Sequence, residues 1–557
     1  MLDIFAKRKL SHALGSRLSA RGSAASHEEN DNFMPSSSTF NVQWLQQRAV
    51  TLTKKNIFRT YYHNASTMFS GSNDGTNQQP IIVQGTVVHD SKPAKIAYEE
   101  QATGSYIAPV QLVEGTGDDE YQGKGQIQEA KFRDVSFAIA FFAQLLIMLG
   151  IGVFYSGTSD DGEGGESADY DGLIYLVFIC GIFATCLSWL CFSWMMRNAS
   201  TLVKTALIFS LGASLTMAFI GLLYGNMLMS ILNFIFFGIG CCYARYVWHR
   251  IPFAAANLTT ALTAVKANGG LLVAALCSLI LALVWSLWWS VAAGGALADS
   301  GEFTLFLTLV SYFWTHQVLQ NTLVCITAGV IGTWWFAPSE ANSYFSQGLK
   351  DSTIRATTYS FGSICFGSLL VAVIQALRQV QRHAQTQGDE GKIVACIIDC
   401  ILGCIQGIIE YVNKWAYVYV GLYGYPYVEA GKNVLQLFRS KGWSAIITDD
   451  LVDNVLFMVS LGVGLITGFV ALCLEAVDNS LLNGIGYGGD GFASFLIGFL
   501  VGLVFSNIIF SIIGSSVNAT IVLFAESPSE FQHNHPELDQ LMRQSWREAW
   551  PDQCRGL

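Results

Sequence analysis

The stretch FASFLIGFLVGLVFSNIIFSIIGSSVNATIVLF, residues 492–524, contains no Asp, Glu, Lys or Arg. About 20 apolar residues in a row suffice for an α-helix to cross the hydrocarbon core of a bilayer. Inside that core no water is present to bond the backbone, so the segment satisfies its N–H and C=O groups by coiling into a helix. Gly498 and Gly502 stand four residues apart within it, and Gly464 and Gly468 repeat the spacing in the apolar segment upstream. Such pairs let two helix backbones approach closely.

Working outward, the same character recurs. Segments 134–155, 172–196, 203–224, 227–248, 268–292, 306–336, 354–378, 394–424 and 448–475 read as further spans, so about ten are expected in total. Composition agrees: of 557 residues, 52% are apolar and 13% charged, against about 25% charged in soluble domains. The expected fold class is all-α, a polytopic membrane protein.

Orientation follows from the charges between spans. Loop 156–171 carries Asp160, Asp161, Glu163, Glu166, Asp169 and Asp171 without one Lys or Arg. Loops 293–305 (Asp299, Glu302) and 476–491 (Asp478, Asp490) also lack basic residues. Arg197, Lys204, Arg245, Arg250, Lys266, Lys350 and Arg355 fall at the opposite span ends. Cytosolic loops are the ones enriched in Lys and Arg, so the acidic loops are expected outside and both termini in the cytosol. One segment departs from the pattern. Linker 379–393 would lie outside yet holds Arg382 and Lys392, and Asp399, Glu410 and Lys414 follow within the next segment. Ionisable groups are costly in lipid. Segment 394–424 therefore either lines a polar interior as a full span or is partly interfacial or re-entrant.

Residues 1–130 are rich in Ser, Gly, Asn, Gln and charge and lack a spanning run. They read as a disordered cytosolic N-terminal tail, followed by a transmembrane domain over 131–525 and a cytosolic C-terminal tail over 526–557. The first residues show no secretory h-region, whereas the basic, Ser-rich stretch from Lys7 to Arg21 has transit-peptide composition. Nearly all of the 13 cysteines sit in apolar segments and read as small hydrophobes. Cys396, Cys400 and Cys404 share a helical face but lack zinc-site spacing, so no metal is expected. No basic stripe supports a nucleic-acid partner, and no phosphate loop, nucleophilic triad or cofactor motif supports an enzyme.

The C-terminal half carries a series of motifs. Phe361-Gly-Ser-Ile-Cys-Phe-Gly-Ser-Leu369 is followed by Gln375 and Arg378, and then by Asn413-Lys-Trp-Ala-Tyr-Val-Tyr-Val-Gly-Leu-Tyr-Gly424. Asp449-Asp-Leu-Val-Asp-Asn-Val-Leu-Phe457, Phe524-Ala-Glu526 and Asn534-His-Pro-Glu-Leu538 complete the order. Together they resemble the choline transporter-like family over about residues 134–550. The short loop after the first span, free of cysteine, is similar to the fungal, plant and protist branch. The resemblance implies transport of choline or a related organic cation, with proton coupling in some members.

The residues can be read against that chemistry. A quaternary ammonium makes no conventional hydrogen bonds and is held by aromatic faces and negative charge. Trp285, Trp288 and Trp289 lie late in one span, and Tyr312, Phe313 and Trp314 early in the next; an interfacial aromatic belt is the plainer reading. Glu410, Asp399 and Asp453 are ionisable groups within apolar segments. Helix-dipole complementation at Asp449 and Asp453, or a Glu410–Lys414 bridge at i, i+4, are the structural alternatives. His316, with Gln317, Gln320 and Asn321, either serves a proton-coupled step or bonds neighbouring helices. The expected substrate-binding set is Trp285, Trp288, Tyr312, Trp314, Glu410, Asn413 and Asp453, with His316 as the proton-coupling candidate. The expected function is a secondary carrier of choline or a similar cation. It would use no cofactor and sit in the plasma membrane or an internal one. A channel, a lipid-handling protein and a membrane scaffold are the alternatives.

Overall fold

The computed structural model describes residues 125–554 except 158–170, 226, 297–301, 386–391, 444–445, 447–450, 479–481 and 483–490. Nearly all of the expected N-terminal tail and most of the acidic loop residues lie outside the described part. All regular structure among the described residues is helical. The elements are α1 (Val135–Gly157), α2 (Asp171–Leu223), α3 (Met227–Val247), α4 (Ile251–Ala267), α5 (Gly270–Ala296), α6 (Glu302–Phe336) and α7 (Gln347–Ile354). They continue as α8 (Phe361–Gln385), α9 (Lys392–Tyr423), α10 (Tyr427–Ser440), α11 (Leu451–Val477), α12 (Gly491–Glu526), α13 (Pro528–Asn534) and α14 (Pro536–Ala549).

Among the described residues, eight stretches are long and apolar enough to cross a membrane. Two features separate that count from the expected ten. First, α2 has 53 residues; at 1.5 Å per residue it would reach about 80 Å if straight, far more than the roughly 30 Å of hydrocarbon. Its helical dihedrals break at Asn198 (φ −132°, ψ 27°), between the two spans expected there. Second, α9 is a continuous 32-residue helix, long enough to cross, that is not one of the eight and carries Asp399, Glu410 and Lys414. Arg378 Nε donates to Asp399 Oδ1 at 2.8 Å, and Arg382 lies 3.6 Å from the other carboxylate oxygen. Arg382, one of the basic residues that broke the orientation pattern, thus joins Arg378 in neutralising the acid of the next segment.

One helix was not expected. α4 follows α3 through a single 3₁₀ turn, Trp248–Arg250, and is buried on almost every side. It packs on α2, α12 and α14. The centre of the bundle is α6, which packs on α5, α8, α9 and α12. α11 and α12 meet along a seam of small residues. A Cβ on Gly498 would lie 2.4 Å from Ala471 Cβ, and one on Gly502 would lie 2.8 Å from Thr467 Cβ.

The stretch after α12 folds back on the bundle. Trp335 Nε1 donates to the Ser527 carbonyl (3.0 Å), and its ring stacks on Phe531 with centroids 3.9 Å apart. Asn534 Nδ2 donates to the carbonyls of Trp335 and Phe336, which close the end of α6. Trp546 Nε1 donates to Asn257 Oδ1 on α4 (3.0 Å), and Arg250 lies over the Trp550 ring at 4.0 Å.

Candidate functional site

The polar side chains on α6 recur at helical spacing and draw in partners from the helices around it. Toward its N-terminal end lies an aromatic cluster. Trp285, Trp289 and Leu309 are buried there with Met148, and Trp288, Tyr312 and Phe313 pack around them. Trp289 Nε1 donates to the Thr308 carbonyl (2.9 Å), which leaves its face against Tyr312 at 4.8 Å between centroids. Trp288 Nε1 donates to the Met148 carbonyl (3.3 Å). The Trp285 N–H is buried and meets no acceptor among the described residues. One turn along α6, the His316 ring lies 4.4 Å from Tyr312, with Nε2 3.0 Å from Ser286 Oγ.

Beyond His316 the polar groups continue into the bundle. Asn321 Nδ2 donates to Ser368 Oγ (3.0 Å) and reaches Gln317 Oε1 (3.5 Å). Ser368 Oγ lies 3.3 Å from the Tyr417 hydroxyl, which also donates to the Ile364 carbonyl. Asn413 Nδ2 donates to the Gly367 carbonyl (3.2 Å), and its oxygen accepts from the Tyr427 hydroxyl. The Tyr427 backbone N–H donates to Asp134 Oδ2 (3.2 Å), as does Ser363 Oγ (2.5 Å). Polar side chains thus recur from the aromatic cluster to the end of the bundle where α1 and α8 begin, joined by hydrogen bonds from Asn321 to Tyr417 and from Asn413 to Asp134 by way of Tyr427. Gly367 permits the crowding midway, since a Cβ there would lie 2.3 Å from the Tyr427 ring and 2.5 Å from the Tyr417 hydroxyl.

That end is crossed by an irregular strap, residues 125–134. The Gly125 N–H donates to Glu526 Oε1 (3.2 Å), Gln126 N–H to the Tyr425 hydroxyl (3.3 Å) and Gln128 N–H to the Tyr423 carbonyl (2.8 Å). The Arg133 N–H donates to the Tyr359 carbonyl (2.9 Å). Glu526 is buried and also accepts from the hydroxyls of Tyr419 and Tyr423.

The expected site residues do not converge on one place. Trp285, Trp288, Tyr312 and His316 meet in the aromatic cluster. Trp314 turns to another part of the core, donating to the Cys365 carbonyl (2.9 Å) with its ring 5.3 Å from Phe141. Asn413 lies on the polar line. Glu410 is exposed and accepts from Gln406 (2.6 Å), and Asp453 pairs with Lys414 at 2.8 Å. Lys414 thus bridges α9 to α11, where the sequence offered a bridge within α9. Sequence reasoning missed the junction of Ser368, Tyr417 and Tyr427, and it missed Glu526. The only signal for Ser368, Tyr417 and Glu526 was their place inside motifs already singled out, and Tyr427 lay outside them.

A multi-pass helical bundle with a polar interior and paired intramembrane charges has the build of a membrane transporter. Residues 231–529 match the family described as plasma-membrane choline transporter, and the chain belongs to that choline transporter-like family. Similar proteins include Protein PNS1 of Gibberella zeae, 30% identical over 55% of this chain and 60% of the relative. Protein PNS1 of Mycosarcoma maydis is 27% identical over 84% of this chain and 92% of the relative. A CTL-like protein of Dictyostelium discoideum is 26% identical over 75% and 76%.

Proposed function

We propose that the protein is a secondary carrier of choline or a closely related organic cation, and that the substrate follows the polar line along α6. The observation that carries this reading is the cluster of Trp285, Trp289 and Tyr312 at one end of that line. Aromatic rings are the groups that attract a quaternary ammonium head, which makes no conventional hydrogen bonds. His316, in ring contact with Tyr312, is the group placed to couple a proton to the step. Asn413 and Tyr427 serve the further end of the path, and Glu410 and the Lys414–Asp453 pair bias its charge. Trp314, with N–H and ring face both engaged, serves packing. In this reading the strap end faces the cytosol, the acidic loops face outside, and the protein acts in the plasma membrane.

The test is radiolabelled choline uptake in a transport-deficient host, normalised to surface expression. A ring over a desolvated cation contributes on the order of 2 kcal/mol, so Tyr312→Leu and Trp285→Leu should each weaken apparent affinity about thirtyfold. His316→Gln should flatten the pH dependence of uptake. Wild-type affinity and pH profile in all three variants would remove the aromatic cluster from the substrate path.

A further inference from the structure

We propose that the strap, residues 125–134, is a latch over the end of the polar line, and that it must release for substrate to pass there. This rests on the carrier reading above. The strap ties together helix ends that would have to separate. Gly125 is bonded to α12, Gln128 to the last residue of α9, Arg133 to the turn before α8, and Asp134 to α8 and to the first residue of α10. Its seat is shaped for bare backbone. A Cβ on Gly125 would lie 2.5 Å from the Tyr423 ring, and one on Gly362 would lie 2.2 Å from the Arg133 carbonyl oxygen. Asp134 closes the strap with φ 48°, where its short side chain can reach Ser363 and the Tyr427 N–H.

The attachment is tight in geometry but shallow in burial. Gln126, Ile127, Glu129, Ala130, Lys131 and Phe132 are all exposed, so hydrogen bonds rather than an apolar core hold the strap. Segments with few buried apolar contacts open at lower free energy than the elements beneath them. The latch can therefore lift while α8, α9 and α12 stay folded. Lifting takes the Gly125 N–H off Glu526, which keeps the hydroxyls of Tyr419 and Tyr423, and draws Asp134 away from Ser363 and the Tyr427 N–H. The Glu526 carboxylate and the rings of Tyr419, Tyr423 and Tyr425 would then flank a departing cation.

A crosslink tests this directly. A Cβ built on Gly424 lies 3.9 Å from Gln128 Cβ, within the range a disulfide requires. In Gln128→Cys/Gly424→Cys, oxidation should cut uptake at least tenfold, and a reductant should restore it. Because Gly424 has φ 78°, the double variant is read against Gly424→Cys alone. Full crosslinking, verified by mass, with uptake within twofold of the reduced protein would overturn the latch. If the reduced protein and the wild type carry no choline, the carrier reading fails instead. Hydrogen exchange then decides the latch. The amides of Gln126, Gln128 and Arg133 should open together, and Tyr419→Phe/Tyr423→Phe should speed that opening at least tenfold. Independent exchange at each amide, unmoved by the double variant, would leave the strap an ordinary connector.

Discussion

Asn413 and Glu410 stand three residues apart on α9 and differ in every respect that bears on stability. Asn413 is buried and bonded at both ends of its amide, to the Gly367 carbonyl and the Tyr427 hydroxyl. Replacing it with Leu strands two buried polar groups, each costing about 1–3 kcal/mol. Asn413→Leu should therefore lower the melting temperature of the detergent-extracted protein and cut uptake. Glu410 is exposed, with a bond from Gln406. Glu410→Gln should leave thermal stability within about 0.5 kcal/mol of wild type while reducing cation uptake. Melting curves and uptake on both variants separate a structural group from one acting through its charge.

At the level of elements, the seam between α11 and α12 is the clearest case of sequence spacing turned into geometry. Inserting volume into a well-packed contact costs about 1–3 kcal/mol. Gly498→Val, forced against Ala471 and the Thr467 carbonyl, should fall in that range and show as a lower melting temperature. Gly462, with nothing within 4 Å of an added Cβ, should accept Ala without loss. The two GxxxG pairs and the long apolar runs were legible because each carries its signal locally. α4 was not: small Ala and Thr residues buried on every side leave no period to read, and Pro252 at its first turn resembles a break. The site was half legible. The tryptophans and His316 stand out as polar or amphipathic groups in apolar runs. The partners of Asn413 and Glu526 do not, because Tyr427 lies beyond the turn at Gly424 and Tyr419 is 107 residues from Glu526. The charges around Asp399, which left segment 394–424 open between a full span lining a polar interior and a partly interfacial or re-entrant helix, form a salt bridge between neighbouring helices.

For the whole molecule, the docking of α13 and α14 ties stability to pH. The His535 ring stacks on Trp334 at 3.9 Å between centroids, with Nε2 3.1 Å from the Trp334 carbonyl. Burial, only partly offset by that carbonyl, holds its pKa below the ordinary histidine value of about 6.5. The unfolded state therefore binds the proton more readily than the folded state. The contribution of the neutral ring is intact above about pH 6.5 and is lost as pH falls from there through the lower folded value. Melting temperatures between pH 8 and pH 5 should show this loss in the wild type and a shallower slope in His535→Gln. The same docking also orders events in the cell. Trp335, Asn257 and Arg250 emerge from the ribosome long before Ser527, Trp546 and Trp550, the groups that complete them. The eight described apolar stretches are thus made before the bundle receives this cap. A chain terminated after Glu526 would present an uncovered aromatic face to the quality-control machinery, so the last helices report that synthesis reached them.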